Sequence, residues 1–196
     1  MSIVNTFSLQ SNRQIKINFN GGDLSSDAGL LLIKEFAAKI GFTKLIKKKF
    51  KTNDKSVRFH KDHENLLQMI YQVISAYFQD DCTDELTLDP VFHAVLDKES
   101  LASQPTLSRF FNRMDEDTLV QFDDIDKNLR DTIYSIKRPE HMLLDLDSTL
   151  FGTYGKQEGE GFNFHYQAHG YHPLLCYDGL TGDCLLYTSP SPRDTR

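Results

Sequence analysis

Residues 141–149 read His-Met-Leu-Leu-Asp-Leu-Asp-Ser-Thr, and the reading of the whole chain turns on them. Met142 to Leu146 is a short apolar run of strand length, and it predicts a buried strand. Asp145 and Asp147 close it. Residues two apart on a strand share a face, so both carboxylates point one way while Leu144 and Leu146 point the other. Two carboxylates side by side on a buried strand lose hydration and repel each other. A divalent cation removes both objections. Phosphoryl transfer is one chemistry that uses such a pair: two ions about 4 Å apart acidify the attacking oxygen and stabilise the leaving one, and carboxylates hold them. Asp147 as a simple cap of the following turn satisfies the same spacing.

Upstream of this strand the pattern is helical. Ile15, Ile17 and Phe19 alternate with polar residues over 13–19, an amphipathic strand, and Asn20-Gly21-Gly22 ends it as a turn. Ser25 or Ser26 is placed to cap a helix whose inner face is Leu30, Ile33, Ala37 and Ile40, stopped by Gly41. A short basic helix over 42–51 buries Phe42, Leu45, Ile46 and Phe50. After a loop at 52–61, helical periodicity runs from about His63 to Gln79. Asp89-Pro90 is a cap followed by a first-turn proline and opens a helix to about Leu96. Pro105 opens another over 105–113. The longest runs from about Glu116 to Ser135, with Leu119, Phe122, Ile125, Leu129 and Ile133 outlining its inner side, although Asp126 interrupts that outline. Lys137-Arg138-Pro139 marks the change from helices to strands.

Downstream, residues 150–163 are glycine-rich loop or hairpin material. Tyr171 to Tyr177 reads as a strand, Asp178-Gly179-Leu180-Thr181-Gly182 as a turn and Asp183 to Tyr187 as the returning strand. Asp178-Gly179 is turn chemistry, which needs a residue tolerant of positive φ, in preference to a second catalytic Asp. His165, His169, His172 and Cys176 fit no compact zinc spacing. Cys184 to Asp194 resembles one reading frame of an adapter used to prepare sequencing libraries. The prediction is therefore a tail over 185–196 that packs against nothing. A natural Ser/Pro-rich terminus is the alternative.

Composition sets outer bounds. With 39% hydrophobic and 26% charged residues the chain is an ordinary globular sequence. It has neither an apolar run of spanning length nor a signal-peptide pattern, and its three cysteines form no disulfide pattern, which predicts a cytoplasmic protein with no membrane partner. The net charge is −6, yet Lys44 to Lys61 carries a net +7, leaving −13 on the remainder. Such asymmetry suits a nucleic-acid contact, with Lys47, Lys48, Lys49, Lys51 and Arg58 as candidates, or else a solvated face. The helix opening at Pro105 groups Thr106, Ser108, Arg109 and Arg113, which can hold a DNA backbone or simply cap and pack.

Leu144-Asp145-Leu146-Asp147-Ser148-Thr149, with Gly152, Asn163-Phe164-His165-Tyr166 and Gly170-Tyr171-His172-Pro173-Leu174, resembles the start of the catalytic domain of bacterial insertion-sequence DDE transposases. Gly21-Gly22, Ser26-Asp27-Ala28-Gly29-Leu30, Asp89-Pro90 and the run Leu101 to Phe110 resemble the group of them catalogued as thirteen-eighty. The resemblance covers about residues 13–183. It implies an α+β protein: a helical N-terminal region over 1–136 that binds DNA, then the first strands of an RNase H-like domain over 137–184. It implies catalytic Asp147, which precedes a hydroxyl residue, with Asp145 as runner-up, and Asp147 as ligand of Mg²⁺ or Mn²⁺, two ions in all. His165 and Tyr166 would line the cleft. The implied partners are the transposon's terminal inverted repeats and target DNA, with room for a homodimer in the synaptic complex, in a bacterial, nucleoid-associated setting. The second Asp and the Glu are expected beyond this sequence, which leaves the 196 residues alone inactive. A DNA-binding regulator made from a shortened transposase and an unrelated metal-dependent nuclease are the rival functions.

Overall fold

The computed structural model describes residues 6–18, 26–79 and 81–188. The turn expected at Asn20-Gly21-Gly22, the Ser25 cap and residues 189–196 lie outside them. The chain divides into two compact units, Met1–Ile136 and Lys137–Arg196.

The first unit opens with a hairpin. Strand β1, Thr6–Ser8, pairs antiparallel with β2, Lys16–Asn18, with Phe7 opposite Ile17. The helices follow in order: α1 Leu30–Lys39, α2 Phe42–Lys49, α3 Asp62–Ile74, α4 Cys82–Leu86, α5 Pro90–Leu96, α6 Gln104–Phe111 and α7 Glu116–Ile136. Two apolar clusters hold them. Leu9, Leu30, Leu31, Tyr71, Phe92 and Val95 form one, joining the hairpin, α1, α3 and α5. Ile46, Phe50, Leu66, Leu67, Phe110 and Ile125 form the other, joining α2, α3, α6 and α7. Each such side chain contributes roughly 1.5–3 kcal/mol when fully buried.

Local chemistry explains most boundaries. Gly41 adopts φ +75°, a conformation that other residues reach only with strain, and it separates α1 from α2. Asp89 caps α5 by accepting from the Val91 amide at 2.6 Å, with Pro90 in the first turn. Helix α3 ends at Ile74, short of the expected Gln79. The Ser75 hydroxyl bonds back to the Tyr71 carbonyl and Ala76 turns to φ +64°. Helix α1 starts at Leu30 with no side-chain cap, and Ser26 instead donates to Asp27. Its inner face is also rotated from the predicted one. Leu31 and Lys34 are buried, while Ile33 is exposed. Lys34 is tolerated there because its ammonium reaches the Ala94 carbonyl at 2.6 Å and the Asp97 carboxylate at 2.5 Å. On α7, Ile125 is buried as expected, but Leu119 and Ile133 face solvent, and Asp126 pairs with Arg130.

The second unit contains two three-stranded antiparallel sheets. One has the order β3 (Leu144–Ser148), β7 (Leu174–Asp178), β8 (Cys184–Thr188); the other has the order β4 (Phe151–Gly152), β6 (Ala168–Tyr171), β5 (Gly161–Asn163). The expected single strand from Tyr171 to Tyr177 is divided at His172-Pro173, where the chain passes from one sheet to the other. Proline has no amide hydrogen for the ladder, so the break falls there. Gly170 sits where a Cβ would lie 2.3 Å from the Phe151 carbonyl oxygen, and the β4–β6 pairing depends on that missing atom. The expectation that 185–196 packs against nothing is corrected for its first four residues. Strand β8 pairs with β7 through Cys184 and Leu186 as far as Thr188, supplying ladder hydrogen bonds that β7 would otherwise lack on that side.

Candidate functional site

Asp145 and Asp147 lie on β3, opposite Tyr177 and Leu175 of β7. Among the described residues β3 pairs only with β7, so it forms an edge of its sheet. Both carboxylates are exposed, and so are Leu144 and Leu146, the latter at 59%. The prediction of a buried strand is therefore corrected: the two charges keep their hydration, and no ion is needed to make the pair tolerable. What the geometry does provide is two carboxylates on one strand face, open to solvent, on residues whose backbones are about 6.7 Å apart along the strand. The Ser148 amide donates to Asp147 Oδ1 at 2.8 Å and orients that carboxylate. Among the described residues no three His, Cys, Asp or Glu side chains converge on one point. An oxygen-only donor set in contact with water suits a hard divalent cation such as Mg²⁺ or Mn²⁺, which retains water ligands and needs few from protein.

At the end of β3 an aromatic stack meets the strand. The Tyr166 hydroxyl donates to the Ser148 carbonyl at 3.1 Å. The Tyr166 ring lies parallel to the His172 ring at 6.0 Å, and His165 meets it edge-on at 4.9 Å. The amides of both His165 and Tyr166 donate to Asn163 Oδ1, a turn that fixes their position. His165 and Tyr166 are thus brought beside Ser148, next to Asp147. Sequence spacing alone does not place His172 in this group. It is 2% exposed, and neither ring nitrogen has a hydrogen-bond partner among the described residues. Its position immediately before Pro173, at the crossover between sheets, is the signal that could have revealed it. Of the remaining candidates for zinc, His169 approaches Glu160 at 3.7 Å and packs on Phe162, and Cys176 is buried in β7.

Asp178 is a turn residue. It is fully buried, and its Oδ1 accepts from the Leu180 amide at 3.0 Å and the Leu143 amide at 3.3 Å. Its carbonyl accepts from Thr181 and Gly182, and Gly182 supplies the positive φ of the hairpin.

In the first unit, the basic residues predicted to contact DNA separate into two groups. Lys47, Lys48 and Lys51 are exposed, on α2 and just after it. Lys49 is not free: its ammonium pairs with Asp124 on α7 at 2.6 Å. The second group converges. Arg58, Thr106, Arg109 and Arg113 line one cavity of about 470 Å³ together with Asp54, Phe59 and His60. Ser108 is exposed on α6 but is not among these lining residues. Arg58 pairs with Asp54 and lies 3.9 Å from Asp62; Arg113 pairs with Asp62 at 3.1 Å. The Arg109 guanidinium donates to the Thr106 hydroxyl at 3.4 Å and has no carboxylate partner among the described residues, while the Arg109 carbonyl accepts from Arg113 at 3.0 Å. Burial, reinforced by the Lys98 ammonium, holds His60 below the ordinary imidazole range, so it is neutral at pH 7. Of the three lining guanidinium groups, Arg109 is the one without a carboxylate partner among the described residues.

The chain matches the family described as transposase DDE domain group 1 over residues 7–188. It belongs to that family. Comparison with curated proteins and with solved structures gave no match. The match of this DDE transposase domain runs from β1 to the end of β8, so it spans both units and includes the Asp145/Asp147 strand. Among the described residues no helix is long and apolar enough to cross a membrane.

Proposed function

We propose that the chain works as part of an insertion-sequence DNA transposase, in which Asp147 is the first metal-holding carboxylate and the N-terminal unit grips DNA. One observation carries this reading: an exposed carboxylate pair on a single strand face, within the matched span of a DDE transposase domain. The antiparallel order β3-β7-β8 is compatible with the opening strands of an RNase H-like domain. Asp147 would hold Mg²⁺ or Mn²⁺ with Asp145 as its neighbour, and the bound ion would acidify water and stabilise a leaving oxygen during cleavage and transfer at the terminal inverted repeats. The chain's own residues orient the site. Ser148 fixes the Asp147 carboxylate through its amide, and Tyr166 fixes the Ser148 carbonyl, with His165 packed behind. Lys47, Lys48 and Lys51 supply phosphate contacts by counterion release, as does Arg109, while Lys49, Arg58 and Arg113 position the elements that carry them. A homodimer would bring two transposon ends together.

Mn²⁺ titration of the chain, followed by amide NMR, tests the metal assignment without requiring turnover. Paramagnetic broadening should centre on residues 145–149 and disappear in Asp147→Asn, whose amide holds a hard cation poorly. It should persist, weakened, in Asp145→Asn. Equal broadening in wild type and Asp147→Asn would overturn the assignment.

A further inference from the structure

The cavity at Arg109 has features that a duplex phosphate contact does not use. Phe59 stands in its wall with 77% of its surface exposed, on the loop between α2 and α3. The ring meets the His60 ring in a T-shaped contact with centroids 4.9 Å apart, and the Lys98 ammonium lies over one face, 5.8 Å from the ring centroid, so a stacking partner has the opposite face. Arg58 and Arg113 are held by Asp54 and Asp62, so the wall is braced by ion pairs. The unpaired guanidinium, Arg109, lies beside the Thr106 hydroxyl. An exposed aromatic ring, an uncompensated guanidinium and a hydroxyl thus meet in about 470 Å³, within the size range of small-ligand sites.

We infer that this cavity seats one unpaired nucleotide of a DNA strand, its phosphate against Arg109 and Thr106 and its base stacked on Phe59. Bases within a duplex are already stacked on each other and offer only their edges, whereas an unpaired base offers a face to an aromatic side chain. A free phosphate would use Arg109 and leave Phe59 without a role. The His60 ring flanks Phe59, with its Nδ1 3.3 Å from the Lys98 ammonium. This assignment rests on the DNA-contact reading above and deepens it: the N-terminal unit would distinguish strand ends with unpaired nucleotides from continuous duplex.

Fluorescence anisotropy on the 196-residue chain, at low salt, would compare a blunt duplex with the same duplex carrying a four-nucleotide single-stranded extension. Wild type should bind the extended DNA at least about fivefold more tightly, the value of one stacked base. Phe59→Trp should keep that gain. Phe59→Ala should abolish it and leave blunt-duplex affinity unchanged, which also shows that the variant is folded. Arg109→Gln should reduce the gain by removing the phosphate contact. Blunt and extended DNA bound equally by wild type, or a gain that survives Phe59→Ala, would overturn the pocket assignment while leaving general DNA contact standing. No binding of either DNA would remove the DNA-contact reading and this inference with it.

Discussion

Asp62, the first residue of α3, receives the Arg113 guanidinium at 3.1 Å, with side-chain exposures of only 11% and 14%. The same carboxylate accepts from the Thr52 hydroxyl at 2.6 Å and the Thr52 amide at 2.9 Å. One side chain thereby ties the loop after α2, the start of α3 and the segment after α6; the loop and the segment after α6 line the Arg109 cavity.

Asp62→Asn should therefore cost about 1–3 kcal/mol of stability at pH 7, the penalty for unpairing a nearly buried charge. Burial alone would raise the Asp62 carboxyl, but the Thr52 hydrogen bonds and then Arg113 outweigh it and hold the group below its usual range. A carboxyl depressed in the folded state stabilises fully above its unfolded value, near ~3.9, and that contribution disappears as pH falls through the lower folded value. Urea unfolding at several pH values checks this. Wild type should lose stability steeply below about pH 4, and Asp62→Asn should show a shallower acid limb.

The basic helix makes a graded prediction. Lys47→Gln, Lys48→Gln and Lys51→Gln should each weaken duplex binding, and removing one lysine–phosphate pairing should reduce the slope of log affinity against log salt by about 0.9. Lys49→Gln should change the slope less, because its ammonium is already paired with Asp124. It should instead lower thermal stability slightly by releasing α7 from α2. Lysine variants that all leave the slope unchanged would identify this stretch as a solvated face.

Helices with strong local signals were legible in the sequence. Asp89-Pro90 marks the start of α5, and Gly41 the break between α1 and α2, because both act through backbone chemistry within a few residues. Burial was less legible. The Lys34 position looks like solvent face until Ala94 and Asp97, sixty or more residues away, are folded against it. The single turn α4 and the three-residue β1 are too short for any periodicity to show. At the candidate site, the shared face of Asp145 and Asp147 follows from strand spacing alone, but their exposure does not, since it depends on which strands flank β3. The grouping of Arg58 with Arg109 and Arg113 is likewise tertiary, because Asp62 draws Arg58 of the loop and Arg113 after α6 toward each other.

Asp178 is a structural carboxylate of the β7–β8 hairpin. Its Oδ1 organises the hairpin by accepting from Leu180 and also binds the Leu143 amide just before β3, so it couples the turn to the strand that carries Asp145 and Asp147. Its Oδ2 is buried with no hydrogen-bond partner among the described residues. An amide keeps the Oδ1 acceptor and removes the burden of desolvating an anionic oxygen. Asp178→Asn should therefore be as stable as wild type within about 1 kcal/mol, whereas Asp178→Ala should lose about 1–2 kcal/mol because the Leu143 and Leu180 amides lose their shared acceptor. Hydrogen exchange at Leu143 and Leu180 provides the local measure: protection should survive in the Asn variant and fall in the Ala variant. Mn²⁺ broadening at residues 145–149 should be unchanged in Asp178→Asn, since a turn residue does not hold the ion. Loss of that broadening in a stable Asp178→Asn protein would place Asp178 in the metal site and refute its assignment to the turn.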